Sequence, residues 1–153
     1  MTTVIIGEQS QFALEYDIKE SEPPYGSVRM WVNGSWLGDI QRSMHLYHMG
    51  SVLASMVSRD NSTLPCIYAK NDDILVDDAL LETTSWSWGD SFDDFLFRMY
   101  VVEDTCAIHI VWKINSLSQS IANEYPRGLH RGVISFDTFD KVVSRFISEI
   151  KLK

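Results

Sequence analysis

The chain has 153 residues, of which 45% are apolar and 12% aromatic, and its formal net charge is −8. This length and composition predict one folded domain over residues 1–153 and exclude a disordered acidic chain, since such chains are poor in aromatic residues. The acidic balance also argues against direct binding of nucleic acid or an anionic membrane, because phosphate recognition needs clustered Lys and Arg.

The expected compartment is the cytoplasm. No basic segment precedes the first short apolar run, so a signal peptide is not expected, and no apolar run approaches the ~20 residues of a membrane span. The two cysteines, Cys66 and Cys106, lie far apart and lack the close spacing of metal ligands. They predict two buried thiols rather than a disulfide or a zinc site.

The first third of the chain predicts strands. Residues 12–18 alternate between apolar and polar side chains, which is the period of a strand with one buried face. Residues 25–32 predict a second strand, and the prolines of residues 22–24 predict a loop between the two. Asn33 and Gly34 tolerate positive φ, so they predict a hairpin turn into a further strand.

A helix is predicted to follow. From Ser43 the apolar residues recur at steps of three and four, which lines one face of a helix. Ser43 is the expected N-cap, and the helix is expected to end near Arg59. A short strand is expected at residues 64–68. The apolar residues of the helical face are Leu46, Met49, Leu53, Met56 and Val57.

The strongest strand pattern lies in the second half. Residues 95–102 and 107–114 predict an antiparallel hairpin at the middle of the sheet, with a turn at residues 103–105. Residues 116–131 are polar and predict a loop, and residues 132–135 predict a short strand.

The C-terminal segment predicts an amphipathic helix capped by Asp137. The residues of its apolar face are Phe139, Val142, Val143, Phe146, Ile147 and Ile150. The order of elements predicts an α+β domain, in which a middle and a C-terminal helix pack on an antiparallel sheet of about five to seven strands.

Eight of the 21 acidic residues fall in one segment, residues 71–94, which contains no Lys or Arg and is called here the acidic segment. The rest of the chain holds 13 acidic and 13 basic residues, so the net charge of −8 belongs to this segment. The eight acids are Asp72, Asp73, Asp77, Asp78, Glu82, Asp90, Asp93 and Asp94. Trp86, Trp88 and Phe92 lie among them, and acid with aromatic side chains suits a surface that binds a basic protein. The alternative is a solvated loop, with the tryptophans buried in the core.

No catalytic motif, metal site or cofactor site is predicted. The chain has no phosphate-binding glycine loop, nucleophile elbow or zinc motif. His45 and His48 could share a face of the first helix, but no further ligands accompany them. His109 is expected on a polar strand face and His130 in an exposed loop. The aspartates lack the glycine and the ligand spacing of a calcium loop.

Several short segments of the N-terminal third resemble the start of the immunity protein 42 family. These segments are residues 5–7, 12–18, 25–26, 31–34 and 37–39. Members of that family are encoded beside bacterial polymorphic toxins, including contact-dependent growth inhibition systems. The resemblance implies a small cytosolic protein that is not an enzyme and that neutralises a cognate toxin domain.

The resemblance and the charge pattern together suggest a mechanism. Many such toxins are basic nucleases, so the expected partner is a basic toxin domain whose surface the acidic segment covers. The predicted partner-binding residues are the eight acids of that segment together with Trp86 and Trp88. The alternative is a small enzyme or ligand-binding domain that uses His45, His48 or the carboxylates in an unrecognised cleft. The oligomeric state is not predicted.

Overall fold

The structure is a computed structural model that describes residues 3–57, 66–69, 90–92, 94–102, 107–115 and 125–151. These residues form nine strands, two α-helices and one turn of 3₁₀-helix. The strands are β1 Val4–Glu8, β2 Phe12–Ser21, β3 Pro24–Val32, β4 Ser35–Leu37, β5 Met44–His45, β6 Cys66–Ala69, β7 Phe95–Val102, β8 Ala107–Ile114 and β9 His130–Ser135. The helices are α1 Leu46–Val57 and α2 Phe136–Lys151, and the 3₁₀ turn is Asp90–Phe92.

The first sheet contains β1 to β5. Strands β1, β2, β3 and β4 are antiparallel neighbours in that order, and β5 pairs with β3 beside β4. Asn33 and Gly34 connect β3 to β4 with φ angles of 51° and 87°, which confirms the predicted turn. Strand β1 was not predicted from its short apolar run.

The second sheet has the order β6, β7, β8, β9. Strands β7 and β8 pair antiparallel along their whole length at its centre, as predicted, whereas β6 runs parallel to β7. The predicted α+β class is confirmed, but the strands divide between two sheets. The two sheets meet at Gly132 of β9, which comes so close to Val32 of β3 that an added Cβ would overlap Val32 Cγ1.

Both predicted helix starts are wrong. Helix α1 begins at Leu46 rather than Ser43, because Met44 and His45 pair with Gly26 and Tyr25 as a short strand.

Helix α2 begins at Phe136, and Ser135 caps it in place of Asp137. The Ser135 hydroxyl accepts a hydrogen bond from the Thr138 backbone N–H at 3.2 Å, which is the geometry of an N-cap. Asp137 lies in the first turn and instead pairs with Lys141 at 2.9 Å.

Helix α2 packs its apolar face on the first sheet, as predicted. Phe139 stacks on Phe12 with ring centroids 5.0 Å apart, and Phe146 meets Tyr16 edge to face at 5.2 Å. The Tyr16 hydroxyl donates to Glu149 Oε2 at 2.7 Å. The buried side chains of both sheets and both helices form one continuous core. Cys66 lies in β6, and Cys106 is outside the described residues.

Candidate functional site

Most of the acidic segment lies outside the described residues. Of its predicted partner-binding residues, only Asp94 is described with its side chain, and Asp90 is placed by its backbone in the 3₁₀ turn. The residues outside the description are Asp72, Asp73, Asp77, Asp78, Glu82, Trp86, Trp88 and Asp93. Their binding role therefore stays a prediction.

The described residues on either side of this segment belong to the second sheet. Ala69 is the last residue of β6 and pairs with Val102 at the end of β7. The 3₁₀ turn that ends at Phe92 lies just before Phe95, at the start of the same strand. The two points of attachment are thus at opposite ends of β7.

Asp94 and Phe92 are buried, which corrects the expectation that they belong to an exposed surface. Asp94 is 5% exposed, and its Oδ2 lies 3.7 Å from Arg42 Nε, which also lies 3.6 Å from Asp39 Oδ2. Phe92 packs against Phe97 in the core. The sequence did not indicate this burial, because both residues stand in a run of acidic residues.

The histidines do not form the arrangement considered from the sequence. His45 lies in β5 and packs edge to face on Tyr25, so it does not share a helical face with His48 of α1. His130 lies in β9 rather than in an exposed loop, and it stacks on Trp112. Among the described residues, no three His, Cys, Asp or Glu side chains are grouped in a way that could hold a metal ion.

A second group of side chains, which the sequence did not reveal, occupies the face of the first sheet opposite the helices. We call it the Glu15 cluster, and its members are Thr3, Glu15, Arg29, Trp31 and Trp36. Glu15 Oε1 accepts hydrogen bonds from Arg29 Nε at 2.8 Å and from Trp31 Nε1 at 2.9 Å, and Oε2 accepts one from Thr3 Oγ1 at 2.7 Å. The Glu15 residue is only 7% exposed, although it sits on an outer sheet face.

The strand register brings these side chains together. Glu15 of β2 is directly opposite Arg29 of β3, and Trp31 of β3 is directly opposite Trp36 of β4. Arg29 Cζ lies 5.1 Å from the ring centroid of each tryptophan, a distance at which a guanidinium and an aromatic ring attract each other.

The electrostatic state of Glu15 follows from its contacts. Burial acts to raise the pKa of its carboxyl, but the hydrogen bonds from Arg29, Thr3 and Trp31 outweigh burial and hold that pKa below its ordinary value. The carboxylate is therefore charged at neutral pH and balances Arg29.

Trp36 links the Glu15 cluster to the core between the sheets. Its ring meets Tyr125 edge to face at 4.8 Å and Phe95 at 6.2 Å. The Tyr125 hydroxyl accepts a hydrogen bond from Trp112 Nε1 at 2.6 Å and donates to the Trp36 carbonyl. Burial raises the pKa of this hydroxyl to about 12, so it stays protonated and keeps donating at physiological pH.

The chain matches a known protein family. The family model described as immunity protein 42 matches residues 1–149 of the chain. No curated protein and no solved structure matches it. Neither helix in the described part of the chain is long and apolar enough to cross a membrane.

Proposed function

Because the chain belongs to the immunity protein 42 family, we propose that it binds a cognate bacterial toxin domain in the cytoplasm and neutralises it without catalysis. The family match over residues 1–149 is the observation that carries this proposal, because it covers both sheets and nearly all of the C-terminal helix. The toxin would belong to a polymorphic or contact-dependent growth inhibition system.

We further propose that the acidic segment steers the protein to a basic toxin surface and covers it, as suits a nuclease toxin. The charge distribution supports this mechanism. The eight acids of the segment account for the net charge of −8, while the rest of the chain is balanced. A concentration of one sign raises the rate at which an oppositely charged partner associates.

The described surroundings of the acidic segment also support the proposal. Asp94, at its end, forms an ion pair with Arg42, which also faces Asp39. Asp39 in turn donates its backbone N–H to the carbonyl of Ser91. These contacts fix one end of the segment to the folded domain, which lowers the entropy that would be lost on binding.

Trp86 and Trp88 are the proposed anchors within the acidic segment. A tryptophan buried at the centre of an interface can cost about 2 kcal/mol or more in binding free energy when it is cut back to alanine. The aspartates would act differently, because charges at the rim of an interface mainly change the association rate and its dependence on salt.

The test is co-expression with the toxin domain encoded by the adjacent gene, followed by binding measurements at low and high salt. The test variant changes Asp72, Asp73, Asp77 and Asp78 to Asn. The matched control changes four exposed acids elsewhere, Glu8, Glu20, Glu22 and Asp140, to their amides. Both variants have the same net charge, so any difference between them reports the position of the charge.

We expect the wild-type protein to rescue the cells and to form a complex that weakens with salt. The test variant should associate more slowly than the control variant, with a smaller salt dependence. Equal behaviour of the two variants would contradict steering by the acidic segment. Absence of both rescue and complex for the wild-type protein would contradict the immunity function itself.

A further inference from the structure

Arg29 has hydrogen-bond donors left over on the outer face of the first sheet. A guanidinium carries five N–H donors, and among the described residues only Nε–H has an acceptor, the Glu15 carboxylate. The Arg29 side chain is 22% exposed. Its two terminal nitrogens are not among the buried polar atoms that lack a partner, so they reach solvent and are open to a second acceptor.

The Glu15 cluster holds this guanidinium in place. Glu15 fixes its Nε edge, and the rings of Trp31 and Trp36 each lie 5.1 Å from Cζ. Both rings are themselves fixed, Trp31 by its bond to Glu15 and Trp36 by its packing on Tyr125. A second acceptor would therefore meet a donor group that is already oriented, which reduces the entropy lost on binding.

Apolar and aromatic side chains share this sheet face with Arg29. Ile5 of β1 is directly opposite Glu15 in the sheet and so lies on the same face, and it is 43% exposed. Trp31 and Trp36 are half-buried on this face. Tryptophan and arginine are the residue types that contribute most to protein interfaces, and apolar contacts around a charged pair exclude water from it.

We propose that this face docks a carboxylate of the toxin domain, carried by a segment with apolar neighbours. The inference rests on the proposed function, since the toxin is its partner. The planar guanidinium fork pairs with Asp or Glu through two parallel hydrogen bonds, which fixes orientation as well as position. The protein then offers two contacts of different chemistry, the carboxylates of the acidic segment to a basic surface and the open N–H donors of Arg29 to an acid. Two contacts of different chemistry favour one orientation of the toxin over others.

The experiment measures the dissociation constant for the purified toxin domain encoded by the adjacent gene. The first test variant is Arg29→Lys, which keeps the charge but removes the fork, and its control is Arg127→Lys at an exposed loop arginine. The second test variant is Ile5→Asp, which leaves Glu15 and Arg29 in place but puts a negative charge on the face. Its control is Val133→Asp, at a valine of β9 that is 52% exposed. Thermal unfolding verifies that all four variants fold.

The docking face is supported if both test variants raise the dissociation constant tenfold or more above that of the wild type. Both control variants should bind as the wild type does. A double-mutant cycle between Arg29→Lys and single Asp→Asn or Glu→Gln variants of the toxin should then identify one coupled carboxylate. Absence of any coupled carboxylate would overturn the proposed chemistry.

Other results distinguish failure of the docking face from failure of the proposed function. Wild-type binding by both test variants would overturn the docking face while the proposed function stands. A wild-type protein that neither binds the toxin nor protects cells would overturn both the docking face and the proposed function. Sedimentation that shows a dimer dissociated by Arg29→Lys would assign the face to a second copy of this chain and overturn the toxin as its occupant.

Discussion

Replacing Glu15 by Gln is expected to lower the free energy of unfolding by about 2 kcal/mol at pH 7. The substitution preserves the size and shape of the side chain but removes its charge. Gln keeps one oxygen that can accept from Arg29 and Trp31, while its amide nitrogen replaces the oxygen that accepts from Thr3.

The magnitude follows from the three hydrogen bonds. A bond to a charged group contributes roughly 1.5–3 kcal/mol and a neutral bond roughly 0.5–1.5 kcal/mol, so losing the charge costs about 1 kcal/mol for each bond. For three bonds, the loss in free energy of unfolding is therefore at most about 3 kcal/mol. Arg29 is 22% exposed, and water that replaces part of the lost interaction brings the expected value down to about 2 kcal/mol.

The same substitution predicts a pH dependence. The pKa of Glu15 in the folded protein lies below the ordinary value of 4.5. A group with a lowered pKa contributes its full stabilisation above the unfolded pKa, and that contribution is lost as the pH falls through the folded pKa. The difference in free energy of unfolding between wild type and Glu15→Gln should therefore be constant near neutral pH and should shrink below about pH 4.5.

Urea denaturation followed by far-UV circular dichroism, at a series of pH values from 7 down to 3.5, measures both effects. Glu20→Gln is the matched control, because Glu20 lies in the same strand but is exposed. A loss for Glu15→Gln at pH 7 no larger than that of the control would refute the reasoning. If the difference in free energy of unfolding between wild type and Glu15→Gln grows as the pH falls, the sign of the pKa shift is wrong.

Three further substitutions test the corrected helix start and the contact between the sheets. Ser135→Ala should lower the free energy of unfolding by about 1 kcal/mol in chemical denaturation, because it removes the N-cap. Asp137→Ala should lower it less, because the ion pair of Asp137 with Lys141 is exposed. A larger loss for Asp137→Ala than for Ser135→Ala would identify Asp137 as the cap. Gly132→Ala should cost about 1–3 kcal/mol in the same assay, because the added methyl group overlaps Val32 Cγ1. Unchanged stability of Gly132→Ala would mean that β9 and β3 are not in close contact.

The sequence predicted elements well where the pattern was local. The alternation of residues 12–18 and 107–114 and the turn at Asn33 and Gly34 gave strands and a hairpin that the structure contains. The spacing of apolar residues also gave the buried face of α2. Each of these signals depends on residues that are close in the chain. One buried face of a strand or helix requires apolar side chains at the short, regular spacing of that element.

The candidate sites also combine features that the sequence shows with features that depend on distant residues. The charge of the acidic segment is a property of the sequence alone, and its role remains a prediction. Asp94 looked the same as its acidic neighbours, but its burial against Arg42 depends on residues distant in the chain. The short strand formed by Met44 and His45 likewise depends on β3, which overrode a helical pattern.

The Glu15 cluster shows most directly what the tertiary structure decided. The sequence by itself determined that β2 and β3 are strands joined by a turn, and pairing counted from Ser21 opposite Pro24 would place Glu15 opposite Met30. An irregularity between Ile18 and Glu20 shifts the register by one residue and places Glu15 opposite Arg29. Because side chains alternate between the faces of a strand, only the shifted register puts Glu15 and Arg29 side by side on one face. The sequence determined which segments become strands, and the pairing of distant strands decided which charges meet.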